Sequence, residues 1–239
     1  MSASHPVTII TGASRGLGLA LARALAARGH LLVVDARGAP DLERARADLA
    51  RTTEVVALPG SVADPAHRRD LVDAARRLGG PDVLVNNASD LGPVPRPALA
   101  EHSLPALEDL LRVNAVAPLG LIQVALPALE ASPRGGRIIN ITSDAAVEGY
   151  EGWGGYGASK AALEALSRTL AAEHPAVRVH VVDPGDMRTR MHQDAFPGED
   201  ISDRPPPEAS VPGLVRLIEG DLPSGRFSTA ELAPEEVLP

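Results

Sequence analysis

A chain of 239 residues, 44% of them hydrophobic, is long enough for one α/β domain that buries roughly 70–75% of its unfolded surface. Its net charge of −8 argues against non-specific nucleic-acid binding, which sets Lys and Arg against phosphates. With no cysteine it has neither a disulfide framework nor a thiolate metal site, its seven histidines lack metal-ligand spacing, and no apolar run approaches the ~18 residues of a membrane span.

The opening residues, Met1–Pro6, show neither the basic start nor the apolar core of a signal peptide, so a cytoplasmic location is expected, with no membrane and no metal. Val7–Ile10 reads as a strand and Leu17–Arg28 as a helix, with Gly29 where a helix C-terminal glycine belongs. The turn between them is Thr11-Gly12-Ala13-Ser14-Arg15-Gly16-Leu17-Gly18. Such a turn brings backbone N–H groups close to a pyrophosphate, at the end of the helix that favours negative charge. It is not a P-loop, because no Gly-Lys pair follows. Tight strand-to-helix geometry without a ligand would use the same glycines.

Further along, Leu31–Val34, Val55–Leu58, Val83–Val85, Arg137–Ile141 and Arg178–Val182 read as strands. Helices are expected at Asp41–Arg51, Pro65–Leu78, Leu104–Ala131 and Tyr156–Glu173, with Pro65 suited to a first turn. Short, β-branched or leucine-rich strands alternating with helices predict an α/β fold: a doubly wound, mostly parallel, Rossmann-like sheet with helices on both faces, as one domain over 1–239. After Val182 the rhythm stops. Asp186–Ser210 is rich in proline, charge and glycine, and it leaves the C-terminal edge of a parallel strand, where ligands bind. Region 186–220 is therefore expected to hold a substrate lid, with Phe196 and Met191 closing only over a substrate. A helix near Val211–Glu219 and a strand near Arg226–Thr229 finish the domain.

Two oddities of composition point to chemistry. The chain has 23 basic residues, and only Lys160 among them is lysine. Three of its five aromatics, Tyr150, Trp153 and Tyr156, lie just before that lysine. In Tyr156-Gly157-Ala158-Ser159-Lys160 the tyrosine and lysine are four apart and share a helix face. A cation beside a phenol favours phenolate and lowers its pKa, making it a better acid and base. Tyr-x-x-x-Lys is usually a solvated face, but a chain that otherwise uses arginine has no ordinary reason for a lysine there.

With these motifs in hand, the chain resembles the short-chain dehydrogenase/reductase family, in its compact single-domain branch. The resemblance covers about Val7 to Met191. Thr11 to Gly18 matches the family's Thr-Gly-x-x-x-Gly-x-Gly, and Asn86-Asn87-Ala88-Ser89 matches its Asn-Asn-Ala-Gly with serine for the last glycine. Asn114, Ser143, Tyr156 and Lys160 stand at its catalytic positions, and Pro184-Gly185 is followed by Met187 and Thr189, which usually flank a nicotinamide. The resemblance implies hydride transfer between a nicotinamide cofactor and a ketone or secondary alcohol. Tyr156 would donate the proton, Ser143 would hold the substrate oxygen, Lys160 would bind ribose hydroxyls, and Asn114 would position a relay water. It implies cofactor contacts at Gly12, Ser14, Arg15, Gly16, Leu17, Gly18, Ser61, Val62, Asn87, Ala88 and Ser89, with Ser61 in place of a frequent adenine-contacting aspartate. A homo-oligomer, dimer or tetramer, is also implied. The acidic ending Phe227–Pro239 departs from the family pattern, which puts the tetramer in doubt.

Asp35, at the end of the second strand, could accept hydrogen bonds from an adenosine ribose and so favour NAD. Arg15 and Arg37 suit a 2′-phosphate, and two guanidiniums outweigh one carboxylate set a residue early, so NADP is the expected cofactor and NAD the alternative. Tyr150, Trp153 and Phe196, with Val147, Asp186 and Met191, are candidates for a substrate pocket, and His192 reads as a surface residue. Two other readings use the same fold: a cofactor-binding regulator without turnover, and a non-redox epimerase or lyase.

Overall fold

In a computed structural model, which describes residues 5–232, the chain alternates strand and helix almost throughout. The strands are β1 (Val7–Ile10), β2 (Leu31–Ala36), β3 (Val55–Pro59), β4 (Val83–Asn86), β5 (Arg137–Ile141), β6 (Arg178–Asp183) and β7 (Gly225–Ser228). They form one parallel sheet in the order β3-β2-β1-β4-β5-β6-β7. The helices are α1 (Gly16–Ala26), α2 (Ala39–Leu49), α3 (Pro65–Arg77), α4 (Leu104–Leu111), α5 (Ala117–Glu130), α6 (Gly154–Glu173), α7 (Arg190–Ala195), α8 (Val211–Glu219) and α9 (Thr229–Leu232). The expected strands are all present, with ends shifted by at most two residues. Residues 233–239, which hold most of the unusual C-terminal ending, lie outside the described residues.

Successive side chains on a strand point to opposite faces, and the core divides accordingly. Ile9, Val33, Leu84 and Ile138 join one layer, with Leu71 of α3, Leu121 of α5 and Leu170 of α6. Ile10, Val34, Val85 and Ile139 join the other, with Leu21 of α1, Leu42 of α2 and Leu217 of α8. Strand order reverses between β1 and β4, so a crevice opens beyond their C-terminal ends. Helix starts follow local chemistry. Asp64 caps α3 by accepting from the Ala66 N–H at 2.8 Å, and Pro65 occupies the first turn.

The expected long helix Leu104–Ala131 is broken into α4 and α5 by a π-helical turn at Arg112–Val116. Pro118 has no N–H to offer the Asn114 carbonyl four residues back, which frees that turn to widen. Leu104–Glu130 also corrects the reading of apolar runs. By length and composition this stretch is long and apolar enough to cross a membrane, although no uninterrupted run shows it. Its Leu110, Leu121, Ile122 and Leu129 are buried in the fold, as in a core helix.

Asp186–Ser210 is more ordered than a proline-rich loop. Thr189 caps the short α7 by accepting from His192 N–H at 3.2 Å, and Arg188 N–H donates to the Pro205 carbonyl at 2.8 Å, closing the base of the segment.

His180 of β6 is fully buried, stacked on Phe227 at 5.5 Å, and neither ring nitrogen has a hydrogen-bond partner among the described residues. Burial, with help from Arg137 and Arg178, pushes its pKa down to about 4 from 6.5. The unfolded chain therefore binds a proton in this window that the folded chain refuses. Stability should fall as pH drops from 6.5 toward 4, by on the order of 3 kcal/mol from this residue, and no further below. Urea unfolding across that window should show His180→Leu with a flatter pH dependence than wild type. Equal slopes would contradict the assignment.

Candidate active site

The crevice at the reversal point is a cleft of about 1220 Å³, and its floor is the glycine turn. Gly12 has φ +68°, a left-handed conformation that favours glycine, and a Cβ there would come within 3.0 Å of Ala88 Cα. Gly18 faces Asn87 so closely that a Cβ would lie 2.6 Å from its amide nitrogen. Asn87 uses that amide to donate to the carbonyls of Thr11 (2.8 Å) and Gly12 (3.2 Å), tying β4 to the turn. Arg15, the residue before α1, makes no side-chain cap, and the first turn of α1 holds no acid. Its N–H groups are left for an anion.

Asp35 has a different task from the expected one. It is buried; one carboxylate oxygen accepts from the Gly12 N–H at 2.8 Å and the other pairs with His67 Nε2 at 3.0 Å. The carboxylate thus props the glycine turn instead of facing a ribose. Arg37 is exposed on the cleft wall, 3.5 Å from Asp90, and Arg15 is exposed at the mouth of the turn. Gly16, Leu17, Ser14, Val62, Ala88, Ser89, Pro184, Gly185, Met187 and Thr189 line the same cleft. Ser61 lines it too, with its hydroxyl accepting from Ala63 N–H at 3.3 Å.

The second wall comes from β5 and α6. Lys160 is buried and donates from Nζ to the Ile141 carbonyl at 2.9 Å. Burial alone pushes its ammonium down to about 8. Nζ lies 5.5 Å from the centre of the Tyr156 ring, one helical turn earlier. The expected lowering of the tyrosine by this lysine is not what the structure shows. Burial dominates and pushes the Tyr156 phenol up to about 12, with the nearby Ser89 hydroxyl acting in the opposite sense. Asn114 is buried in the π turn. Its amide nitrogen donates to the Asp90 carbonyl (2.8 Å) and Ser159 Oγ (2.9 Å), and its oxygen accepts from Asp90 N–H (2.8 Å) and Ser89 Oγ (3.2 Å). Ser143 follows β5 and lines the cleft, and its hydroxyl donates to Asp144 at 2.8 Å.

Trp153, Asp186 and Met191 line the cleft as expected, whereas Tyr150, Val147 and Phe196 do not. His192, read as a surface residue, also lines it, half-buried against Phe196 at 4.9 Å. Arg96 is a residue the motifs do not reveal. Its guanidinium lies 3.9 Å from the Trp153 ring centre and 4.7 Å from that of Phe196, and Trp153 meets Tyr156 edge-on at 5.6 Å. Phe196 packs against the Arg96 guanidinium and the Trp153 and His192 rings, contacts that cation–π attraction strengthens. Its only sequence signal is an arginine within the proline-rich stretch Pro93–Pro97.

The glycine cradle, the uncapped helix N-terminus and the volume of the cleft fit a dinucleotide whose phosphates rest on α1. Gly16 and Leu17 could hold them, with Gly12 giving the close approach, Arg15 and Arg37 could take a further phosphate, and Lys160 with Tyr156 would stand beside the far ring. Among the described residues, no group of three His, Asp or Glu gathers to hold a metal.

Comparison with known proteins agrees with that chemistry. A family model described as short chain dehydrogenase matches residues 6–200. Sepiapterin reductase from Mus musculus is 35% identical over 199 residues, which span 78% of this chain and 76% of that protein. Benzil reductase ((S)-benzoin forming) from Saccharomyces cerevisiae is 34% identical over 196 residues, 79% of this chain and 74% of that one. The crystal structure of a short chain dehydrogenase from Shigella flexneri 2a str. 301, complexed with NADP, superposes with a TM-score of 0.85 at 26% identity, covering 94% of this chain and 97% of that one.

Trp153 is the one tryptophan of the chain, so it reports on its own surroundings. Arg96→Leu should change its emission and speed amide exchange across Arg190–Ala195 by about tenfold, as a cation–π contact is lost. Unaltered emission and exchange would show that Arg96 holds nothing in place.

Proposed function

From the premise that the chain belongs to the short-chain dehydrogenase/reductase family and is an oxidoreductase, we propose that it interconverts a ketone and a secondary alcohol with NADP(H), using Tyr156 as general acid and base. The observation that carries this reading is the convergence of Tyr156 and the buried Lys160 on the wall of the cleft whose floor is the glycine turn. When bound, the nicotinamide supplies or accepts the hydride.

The chain's own groups deal with the proton and with position. A phenol raised to about 12 keeps its proton at neutral pH, so Tyr156 is poised to protonate an oxygen that gains negative charge during reduction. Lys160 gives one hydrogen bond to Ile141 and carries two further N–H donors, suited to the ribose hydroxyls of the cofactor. Asn114 anchors the loop that carries Ser89 and Asp90, and Ser143 holds the substrate oxygen opposite Tyr156. NADP is favoured over NAD for two reasons. The two carboxylate oxygens of Asp35 are engaged by the Gly12 N–H and His67 Nε2, and Arg15 and Arg37 are exposed at the cleft. The NADP bound to the Shigella flexneri protein supports this preference. The segment between β6 and α8 serves as the lid of the substrate end.

Tyr156→Phe should fold normally and lose about 100- to 10,000-fold in kcat for NADPH-dependent ketone reduction, the usual worth of a positioned acid. Near-normal turnover by this variant would remove Tyr156 from the chemistry. For the cofactor, fluorescence titration should show NADPH binding tighter than NADH, with Arg37→Ala costing NADPH about tenfold or more and NADH little. Tighter binding of NADH would reverse the preference.

A further inference from the structure

We propose that Asp144 selects the substrate, favouring ketones that carry an N–H or O–H donor on a carbon next to the carbonyl and rejecting those that carry a carboxylate there. The inference rests on the carbonyl-reducing reading of the same cleft and deepens it.

Seven aspartates line the cleft, and among the described residues six of them have a basic partner within 4.0 Å. At the substrate end, Asp183 has Arg226 at 3.6 Å and Asp186 has Arg204 at 3.7 Å, while Asp90 has Arg37 at 3.5 Å. Among the described residues, Asp144 alone has neither an arginine nor a histidine within that distance. Its hydrogen bonds come from neutral groups: Ser143 Oγ and Ala145 N–H at 2.8 Å each on one oxygen, and Tyr150 Oη at 2.9 Å on the other. Partial burial opposes its ionisation, but the hydrogen bonds from Ser143, Tyr150 and Ala145 outweigh it and hold the carboxyl below its ordinary value. Asp144 is therefore a full negative charge at working pH, exposed to whatever enters beside Ser143.

Distance fixes the class of substrate. A substrate oxygen hydrogen-bonded to Ser143 would lie about 5 Å from the Asp144 oxygen that Ser143 now contacts, two hydrogen-bond lengths around a bend. A heteroatom on the adjacent carbon bridges that gap and can donate to Asp144. There is a second consequence. The single Ser143 proton is directed at Asp144, so it is withheld from the substrate carbonyl. A substrate donor that satisfies Asp144 releases that proton toward the carbonyl oxygen, and a ketone without one competes for it. A carboxylate in the same place meets an uncompensated like charge.

The test compares wild type with Asp144→Asn on four aryl ketones of similar size: phenacylamine, phenacyl alcohol, propiophenone and phenylglyoxylate. Intrinsic reactivity cancels when each substrate's kcat/KM is expressed as the ratio of variant to wild type. The ratio should be about tenfold lower for phenacylamine and phenacyl alcohol than for propiophenone, and higher for phenylglyoxylate. Asp144→Ser should give the same order, and thermal unfolding verifies that both variants fold. One common ratio for all four substrates would overturn the role of Asp144 while leaving ketone reduction intact. No NADPH oxidation with any of the four, by wild type that binds NADPH, would overturn the carbonyl-reducing reading itself.

Discussion

The arrangement of the cleft depends on one buried ammonium. Placing a lysine inside a protein is costly unless its charge is solvated by fixed dipoles, and Lys160 is placed there with the Ile141 carbonyl as its partner at 2.9 Å. That bond pins α6 against the end of β5. Tyr156 is carried one turn toward the helix start, and Ser143 stands two residues past the carbonyl that holds the lysine. The small residues of Gly154–Ser159 allow the close approach: a Cβ at Gly157 would lie 2.4 Å from the Ala145 carbonyl oxygen. The sheet thus positions the chemistry, and the loops add to it.

A buried carboxylate sets the other half of the cleft. Asp35 links the glycine turn of β1 to β2, and His67 at the start of α3 links Asp35 to the third layer of the fold. The two halves differ in charge as a result. The turn end presents exposed guanidiniums, and the substrate end presents carboxylates that are neutralised in every case but Asp144.

Much of this is legible in the sequence, for a physical reason. Strand and helix positions follow from period and turn residues, which are local properties, so β1 and β5 fall where the apolar runs put them. The Tyr156–Lys160 pair is local too, being one helical turn. What the sequence conceals is pairing across the fold. Asp35 reads as a ribose acceptor until His67 and the Gly12 N–H are seen to occupy it, 32 and 23 residues away. Phe196 reads as a pocket wall until Arg96 is found against its ring. The π turn at Arg112–Val116 is also hidden, because the helical period runs through it with little visible interruption. Asp144 is in plain view beside Ser143, but that no cation lies within 4.0 Å of it among the described residues depends on where the arginines fold.

Because Lys160 is the only lysine, its side chain can be observed alone. Labelling lysine with nitrogen-15 gives one ammonium resonance, which can be followed through a pH titration with and without NADPH. A buried ammonium at the cofactor cleft should titrate near 8, well below the ordinary lysine range, and its resonance should shift when NADPH is added. A signal that titrates as a free lysine does, and ignores NADPH, would contradict the placement of this group and the function built on it.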